Sequence, residues 1–156
     1  MIPIDVRLRV AEMLNDYAHA LDDGRLEEWP DFFLEDGIYR VIPRENRMQN
    51  LPGVIIVCVG RNMMHDRIKV LREANEFNIH TDRHVTGMPR LSEVEGGLKA
   101  ISSYALFQTD QEGESRLFSV GQYEDLIAIE SDRPRFRERT VVVDTYAIPN
   151  LLATPI

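Results

Sequence analysis

The sequence has one cysteine, no long apolar run and no block of basic residues. The single cysteine, Cys58, excludes an intrachain disulfide and any metal cluster held by cysteines of this chain alone. It lies in the apolar string GVIIVCVG, where a buried, inert thiol is the expected state. We expect no secretory leader before the first amphipathic segment, and no run approaches the roughly 20 apolar residues that cross a bilayer. A cytoplasmic protein without a membrane partner is therefore expected.

The balance of charge argues against one class of partner. Lys and Arg number 18 against 26 Asp and Glu, which gives a formal net charge of −8. A chain without a basic block is poorly suited to follow a phosphate backbone, so we expect no nucleic-acid partner. Glycine-rich nucleotide motifs and the G-x-S-x-G nucleophile string are missing too, which leaves nucleotide and α/β-hydrolase chemistry unsupported.

The first half of the chain is predicted to be mainly helical. A length of 156 residues, without a repeat or low-complexity tract, indicates one domain over 1–156. Apolar residues recur at three- and four-residue steps over 5–22, which predicts an amphipathic helix. Asn62 is placed to cap a later helix. Between the two helices the pattern predicts a short helical piece at 26–33, broken near a proline, and a strand at 38–42. A loop at 43–53 and a β-rich run at 54–59 follow.

The second half changes to a period of two residues. This period predicts four long strands joined by turn residues, at 83–95, 98–109, 116–130 and 135–147. Adjacent long strands with short connections predict an antiparallel meander. Helices first and a curved antiparallel sheet afterwards is an α+β architecture, with the helices gathered on one face of the sheet.

The string RFRERTVVVD contains three arginines at alternate positions. Arg135, Arg137 and Arg139 fall on one face of an extended strand because side chains alternate. One interpretation is a solvated face that is balanced by Glu124 and Glu130 across the sheet. The other is a docking face, since closely spaced guanidiniums suit carboxylates on a partner. The sequence leaves both open.

The string HTDRH, residues 80–84, holds two of the four histidines in the chain. Two histidines and one carboxylate are the ligand set of a non-haem iron centre. In an extended segment His80, Asp82 and His84 share one face but span about 13 Å at ~3.3 Å per residue. That span is too long for a single ion, so we expect no metal site in this chain.

Acid–base chemistry is the next hypothesis for these residues. A histidine beside a carboxylate could remove a proton in an isomerase or dehydratase. Such a free-standing enzyme would act on a small cyclic substrate within its own cavity and use His80, His84, Asp36 and Tyr39. In the alternative interpretation, Arg83 and His84 make structural hydrogen bonds or ion pairs at a subunit contact and His80 is partly exposed.

Four strings together resemble a known family, and they extend nearly from end to end: LDDGRLEEWPDFFLEDGIYRV (21–41), DRIKVLREAN (66–75), HTDRHVTGMP (80–89) and FSVGQYEDL (118–126). The chain resembles the small (beta) subunit of Rieske-type aromatic-ring-hydroxylating dioxygenases. Within that family, its sequence is most similar to the small subunits of oxygenases for aromatic acids, terephthalate above all.

The resemblance implies a fold and a role together. The fold would be a nuclear transport factor 2-like (cystatin-like) cone, a curved, mostly antiparallel sheet wrapped around N-terminal helices. The role would be structural, in the terminal oxygenase of a multicomponent dioxygenase, as a hexamer of three large (alpha) and three small subunits. The large subunit would carry a Rieske [2Fe–2S] cluster and a mononuclear non-haem Fe(II), and this chain no cofactor. Electrons would come from NAD(P)H through a separate reductase or ferredoxin.

The resemblance also implies roles for particular residues, none of them catalytic. Trp29, Phe33 and Tyr39 would lie in the core of the cone. A polar network that holds the third helix would include Asp66, Arg67 and Arg72. Arg83 and His84 would lie near subunit contacts.

Overall fold

The computed structural model describes residues 1–74, 79–144 and 154–156. The helices are α1 (Ile4–Asp22), a 3₁₀ helix (Leu26–Phe32), α2 (Arg44–Met48) and α3 (Arg61–Ala74). The strands are β1 (Phe33–Pro43), β2 (Ile56–Val59), β3 (Thr81–Thr86), β4 (Arg90–Val94), β5 (Gly97–Thr109), β6 (Ser115–Glu130) and β7 (Arg133–Val143).

The strands form one mixed sheet. Its order is β2-β1-β7-β6-β5-β3, and β4 pairs with β5 beside β3. All neighbours are antiparallel except β1 and β7, which are parallel. The helices α1 and α3 and the 3₁₀ helix pack against the inner face of this sheet. The predicted α+β cone with a curved, mostly antiparallel sheet is therefore confirmed.

Helix α1 forms because its apolar residues make one stripe. Residues such as Val10, Met13, Tyr17 and Leu21 recur at helical spacing and are buried against the sheet. The helix ends at Asp22, and the chain turns away at Gly24, whose φ of 73° is readily adopted by a residue without a Cβ.

Irregular pairings bend the sheet around the helices. The register of β5 against β6 shifts after Leu106, and Phe118 is the extra residue on β6. The register of β6 against β7 shifts after Leu126, and Arg137 is the extra residue on β7. An extra residue bends its strand and reverses which side chains face inward beyond it. Accordingly, Phe118 and Ser119 are both buried although they are adjacent in the sequence.

Aromatic rings fill the centre of the cone. Trp29, Phe33 and Tyr39, the three residues expected in the core, are each 0% exposed. The ring of Trp29 meets those of Tyr39 and Phe33 edge to face, with centroids 5.0 and 5.9 Å apart. These contacts fix the 3₁₀ helix to the first strand of the sheet.

Some predicted boundaries are wrong for local reasons. The predicted loop at 43–53 contains helix α2, which begins directly after Pro43 and buries no residue, so that it has no apolar stripe to reveal it. Helix α3 begins at Arg61, after Gly60 ends the preceding strand at a φ of 82°, so Asn62 lies inside the helix and does not cap it.

The strands also differ from prediction. The strand at 83–95 is two strands, both paired with β5, because Pro89 has no N–H to donate to a continuous ladder. The strand at 38–42 extends over Phe33–Pro43, and the last strand ends at Val143. Residues 145–147 of that predicted strand lie outside the described residues.

We expect Trp29→Ala to lower the free energy of unfolding by about 3 to 5 kcal/mol, because it leaves a cavity among buried rings. The measurement is urea unfolding followed by far-UV circular dichroism, since the substitution removes the only tryptophan. Trp29→Phe, which keeps a ring in the site, should cost less. A loss below about 1 kcal/mol for the alanine variant would contradict a core position.

Candidate functional site

The string HTDRH lies at the entry to strand β3. The alternation of β3 turns Asp82 and His84 towards the interior, where both are buried, and turns Arg83 outward. Nε2 of His80 lies 3.2 Å from Oδ1 of Asp82, and the side chain of His80 is only 12% exposed. Burial raises the pKa of Asp82, although both histidines act to lower it.

A buried carboxylate holds His84 in one orientation. Asp22, in the last turn of α1, has one oxygen 2.5 Å from Nδ1 of His84 and accepts the backbone N–H of His84 on the other at 2.9 Å. A carboxylate oxygen accepts hydrogen bonds, so Nδ1 of His84 donates to Asp22 and Nε2 is the ring nitrogen that this contact leaves unused. That Nε2 is fully buried and has no hydrogen-bond partner among the described residues. Sequence analysis missed Asp22 because no local pattern connects residue 22 to residue 84.

The four residues of the acid–base hypothesis do not form one site. Asp36 is exposed on β1, whereas Tyr39 on the same strand is fully buried. The hydroxyl of Tyr39 accepts the backbone N–H of Ile156 at 2.9 Å, while His84 is bound to Asp22. Burial raises the pKa of Tyr39 well above its ordinary value, so the phenol stays neutral. Tyr39 therefore contributes to packing of the core and does not reach a substrate site shared with Asp36.

The centre of the cone is occupied by residues of the chain itself. Ile156 is 0% exposed and lies against the aromatic core. The hydroxyl of Tyr17 donates to the backbone oxygen of Ile156 at 3.1 Å and accepts from Nε1 of Trp29 at 3.1 Å. Sequence analysis missed Ile156, since the string NLLATPI at 150–156 carries no motif that connects it to a ring.

The three arginines of β7 do not share a face, so the predicted arginine row is wrong. Arg137 is the bulge residue, and beyond it the alternation reverses and turns Arg139 into the interior, where it is 1% exposed. Arg135 is partly buried and Arg137 is exposed. The proposed balancing carboxylates pair elsewhere, because Glu124 accepts two hydrogen bonds from Arg47. Glu130 lies opposite Arg133.

Arg139 is instead a buried cation among aromatic rings. Its guanidinium carbon lies 3.7 Å from the ring centroid of Tyr123, 4.2 Å from that of Tyr17 and 4.6 Å from that of Phe136. Its Nε lies 3.4 Å from Oδ1 of Asp125, the residue opposite it on β6. Burial acts to lower the pKa of Arg139, but Asp125 and the tyrosines raise it, so the guanidinium stays charged.

Asp125 is a poorly solvated carboxyl group. It is 2% exposed, and neither of its oxygens accepts a hydrogen bond from the described residues. Loss of water raises the pKa of Asp125 to about 7, and the attraction of Arg139 offsets only part of that rise.

Helix α3 is anchored by one arginine in particular. Arg72 donates two hydrogen bonds of 2.8 Å to the carboxylate of Glu27 and one of 2.7 Å to the backbone oxygen of Gly24. The contact lowers the pKa of Glu27 to about 2. Of the other residues expected in this network, Asp66 is exposed and Arg67 is partly buried.

No group of three or more metal-binding side chains is placed to hold an ion within residues 1–74, 79–144 and 154–156. Cys58 is buried, and desolvation raises the pKa of its thiol. Among the helices of these same ranges, none has the length and apolar character needed to cross a membrane.

We expect Asp125 to make stability depend on pH. Between its ordinary pKa of 3.8 and about 7, the folded chain keeps a proton that the unfolded chain has released, so the free energy of unfolding falls as pH rises. Asp125→Asn cannot titrate and serves as the reference. From about pH 4 to about pH 7, the stability of the unsubstituted chain relative to this variant should fall by on the order of 2 to 4 kcal/mol.

Denaturant unfolding of both proteins at several pH values measures this difference. A difference that stays constant, or that grows with pH, would mean that Asp125 is ionised beside Arg139 throughout this range.

Comparisons with known proteins agree over nearly the whole chain. A family model described as a SnoaL-like domain matches residues 3–140. The small subunit of anthranilate 1,2-dioxygenase from Burkholderia cepacia is 38% identical over 143 residues, 91% of this chain and 89% of that protein. Subunit beta 1 of the terminal oxygenase component of terephthalate 1,2-dioxygenase from a Comamonas species is 30% identical over 96% of this chain and 97% of its own length.

A solved structure agrees with these relatives. The beta subunit of a protein described as an aromatic-ring-hydroxylating dioxygenase, from Novosphingobium aromaticivorans, superimposes with a TM-score of 0.87 at 38% identity and covers 96% of both chains. The chain therefore belongs to the SnoaL-like family and, within it, to the small (beta) subunits of aromatic-ring-hydroxylating dioxygenases.

Proposed function

We propose that this chain is the non-catalytic small subunit of the terminal oxygenase of a Rieske non-haem iron dioxygenase, with a role in assembly and stability. The sequence identity of 38% to a dioxygenase small subunit, over 91% of the chain, carries the proposal. The interior supports it, because Ile156 and the surrounding rings occupy the centre of the cone, where a free-standing enzyme would hold a substrate.

The partner in this proposal is a large (alpha) subunit, in a hexamer of three large and three small chains. It would hold the Rieske [2Fe–2S] cluster and the mononuclear Fe(II). A Rieske cluster takes two cysteine and two histidine ligands, and this chain has one cysteine, which is buried. Electrons would reach the complex from NAD(P)H through a reductase or ferredoxin. We place the complex in the cytoplasm, where that donor is available.

The substrate proposed for the complex is an aromatic carboxylic acid. The names of the two relatives specify anthranilate and terephthalate. Both molecules are benzene rings with a carboxylate, so a benzoate-like substrate is the chemistry that the relatives share. Its position in the complex would be next to the iron of the large subunit.

Polar residues proposed for assembly fall into three groups. Asp66, Arg67 and Arg72 would hold α3 in place, a role that the contact between Arg72 and Glu27 supports. Arg83 would contact the large subunit directly, whereas the side chain of His84 is 0% exposed and can act only through Asp22. The exposed Arg137 and the partly buried Arg135 are further contact candidates.

The surroundings of Arg83 favour a protein contact. Its side chain is 57% exposed and lies on the outer face of the sheet, level with Phe107 on β5 and Leu117 on β6. These two apolar side chains are 37% and 49% exposed. An arginine beside exposed apolar groups is typical of interface hot spots, and it fits a partner segment that offers a carboxylate beside an apolar side chain.

The assembly is tested by purifying the tagged chain from its own cells under native conditions. We expect a larger subunit to co-purify, in a complex several times heavier than the 18.0 kDa of this chain. Iron should amount to about three atoms per pair of subunits, two in the cluster and one mononuclear. A small, iron-free homo-oligomer as the sole species would contradict the proposal.

The contact at Arg83 is tested by charge reversal. We expect Arg83→Glu and Phe107→Asp each to weaken association with the large subunit by about tenfold or more, measured by titration of the separated subunits. Phe107→Asp is informative because Arg83 also lies 3.8 Å from Asp22, whose contact with His84 a new glutamate could disturb. Arg90→Glu, on the exposed strand β4, is the matched control and should change little. Unchanged affinity in both variants would remove this face from the interface.

A further inference from the structure

The core of the cone holds a short segment of its own chain through a set of converging polar groups. Ile156 contributes a backbone N–H, a backbone oxygen and a branched apolar side chain, all within the cone. Tyr39 accepts the N–H at 2.9 Å and lies 3.4 Å from the oxygen, and Tyr17 donates to the same oxygen at 3.1 Å. Pro155 is buried beside it.

These polar groups are themselves held in fixed positions. Nε1 of Trp29 donates to the hydroxyl of Tyr17 at 3.1 Å, so the single hydroxyl proton of Tyr17 is directed at Ile156. Trp29 and Tyr39 are in turn in edge-to-face contact. Both tyrosines are fully buried and their pKa values are raised, so each phenol keeps its proton. Buried polar groups held in fixed positions among apolar rings are the features of a ligand site.

We propose that the interior of the cone is a binding site occupied by Ile156, and that it can take in its place a small branched or aromatic molecule bearing an amide or carboxylate group. The rings supply the apolar walls. Tyr17 donates to a carbonyl or carboxylate oxygen, and Tyr39 accepts from an amide N–H. The inference does not depend on which partner the chain has.

Because the occupant is tethered, we expect the intact chain to bind such molecules weakly. Residues 154–156 are joined covalently to the fold, so they act at an effective concentration in the millimolar range, and a free ligand must compete with them. Ligand binding should therefore appear when the anchor of the segment is removed.

The first variant is Ile156→Gly in the full chain, which removes the side chain and leaves the two backbone contacts. The probe is N-acetyl-L-isoleucine, which reproduces the N–H, the branched side chain and an acceptor oxygen. Trp29 reports on the site because it is the only tryptophan. We expect a saturable change in its fluorescence, with an apparent affinity at least about tenfold higher in the variant than in the unsubstituted chain.

A matched probe and matched substitutions separate this site from non-specific binding. N-acetylglycine lacks the side chain and should bind at least about tenfold more weakly than N-acetyl-L-isoleucine. Adding Tyr39→Phe should weaken binding of N-acetyl-L-isoleucine by about tenfold, because it removes the acceptor of the amide N–H. Adding Tyr104→Phe should change little, since the hydroxyl of Tyr104 bonds to Ser119 and makes no contact with Ile156 among the described residues.

A second variant without residues 154–156 gives the site no competitor. It should bind N-acetyl-L-isoleucine more tightly than Ile156→Gly does, with a rise in melting temperature that N-acetylglycine does not produce. If this variant does not fold, binding of the two probes to the Ile156→Gly chain tests the proposal alone. An Ile156→Gly chain that is folded and gives no saturable response, or that responds equally to the two probes, overturns the proposal.

Discussion

A charged guanidinium inside an apolar cone is the constraint on which much of the interior depends. Arg139 is 1% exposed, and a cation that has lost water needs other partners close by. Rings from α1, β6 and β7 supply them within 4.6 Å, and the carboxyl group of Asp125 lies 3.4 Å from Nε of Arg139. The guanidinium thereby joins the first helix to the middle of the sheet.

The interior of this cone is suited to stability and assembly rather than to turnover. Tyr17, Trp29 and Tyr39 carry groups that could hold a substrate, yet their hydrogen bonds go to one another and to Ile156. The pair of Asp22 and His84 has the geometry of an oriented base, but Nε2, the second ring nitrogen of His84, is buried. Membership of the dioxygenase small subunits agrees with this arrangement, because in the proposed complex the oxidation takes place on the large subunit.

Local pattern predicted the fold class and most of the elements, because the period of α1 and of β5 to β7 is visible along the chain itself. The alternation wrongly placed Arg139 on one face with Arg135 and Arg137. A one-residue bulge at Arg137 reverses the alternation, and no residue type in the sequence signals the bulge. Local pattern also missed Asp22 and Ile156, whose partners lie 62 and 117 residues away in the sequence. Such long-range contacts depend on the curvature of the whole sheet.

The central claim is that this chain contributes no reacting group to ring oxidation. Turnover of the reconstituted oxygenase with His84→Ala in the small subunit tests that claim most directly, together with the native mass of the complex. A kcat within about tenfold of the unsubstituted complex is the predicted result. A loss of about 10³ or more in kcat, with the complex and its iron content intact, would contradict it and would place chemistry at His84.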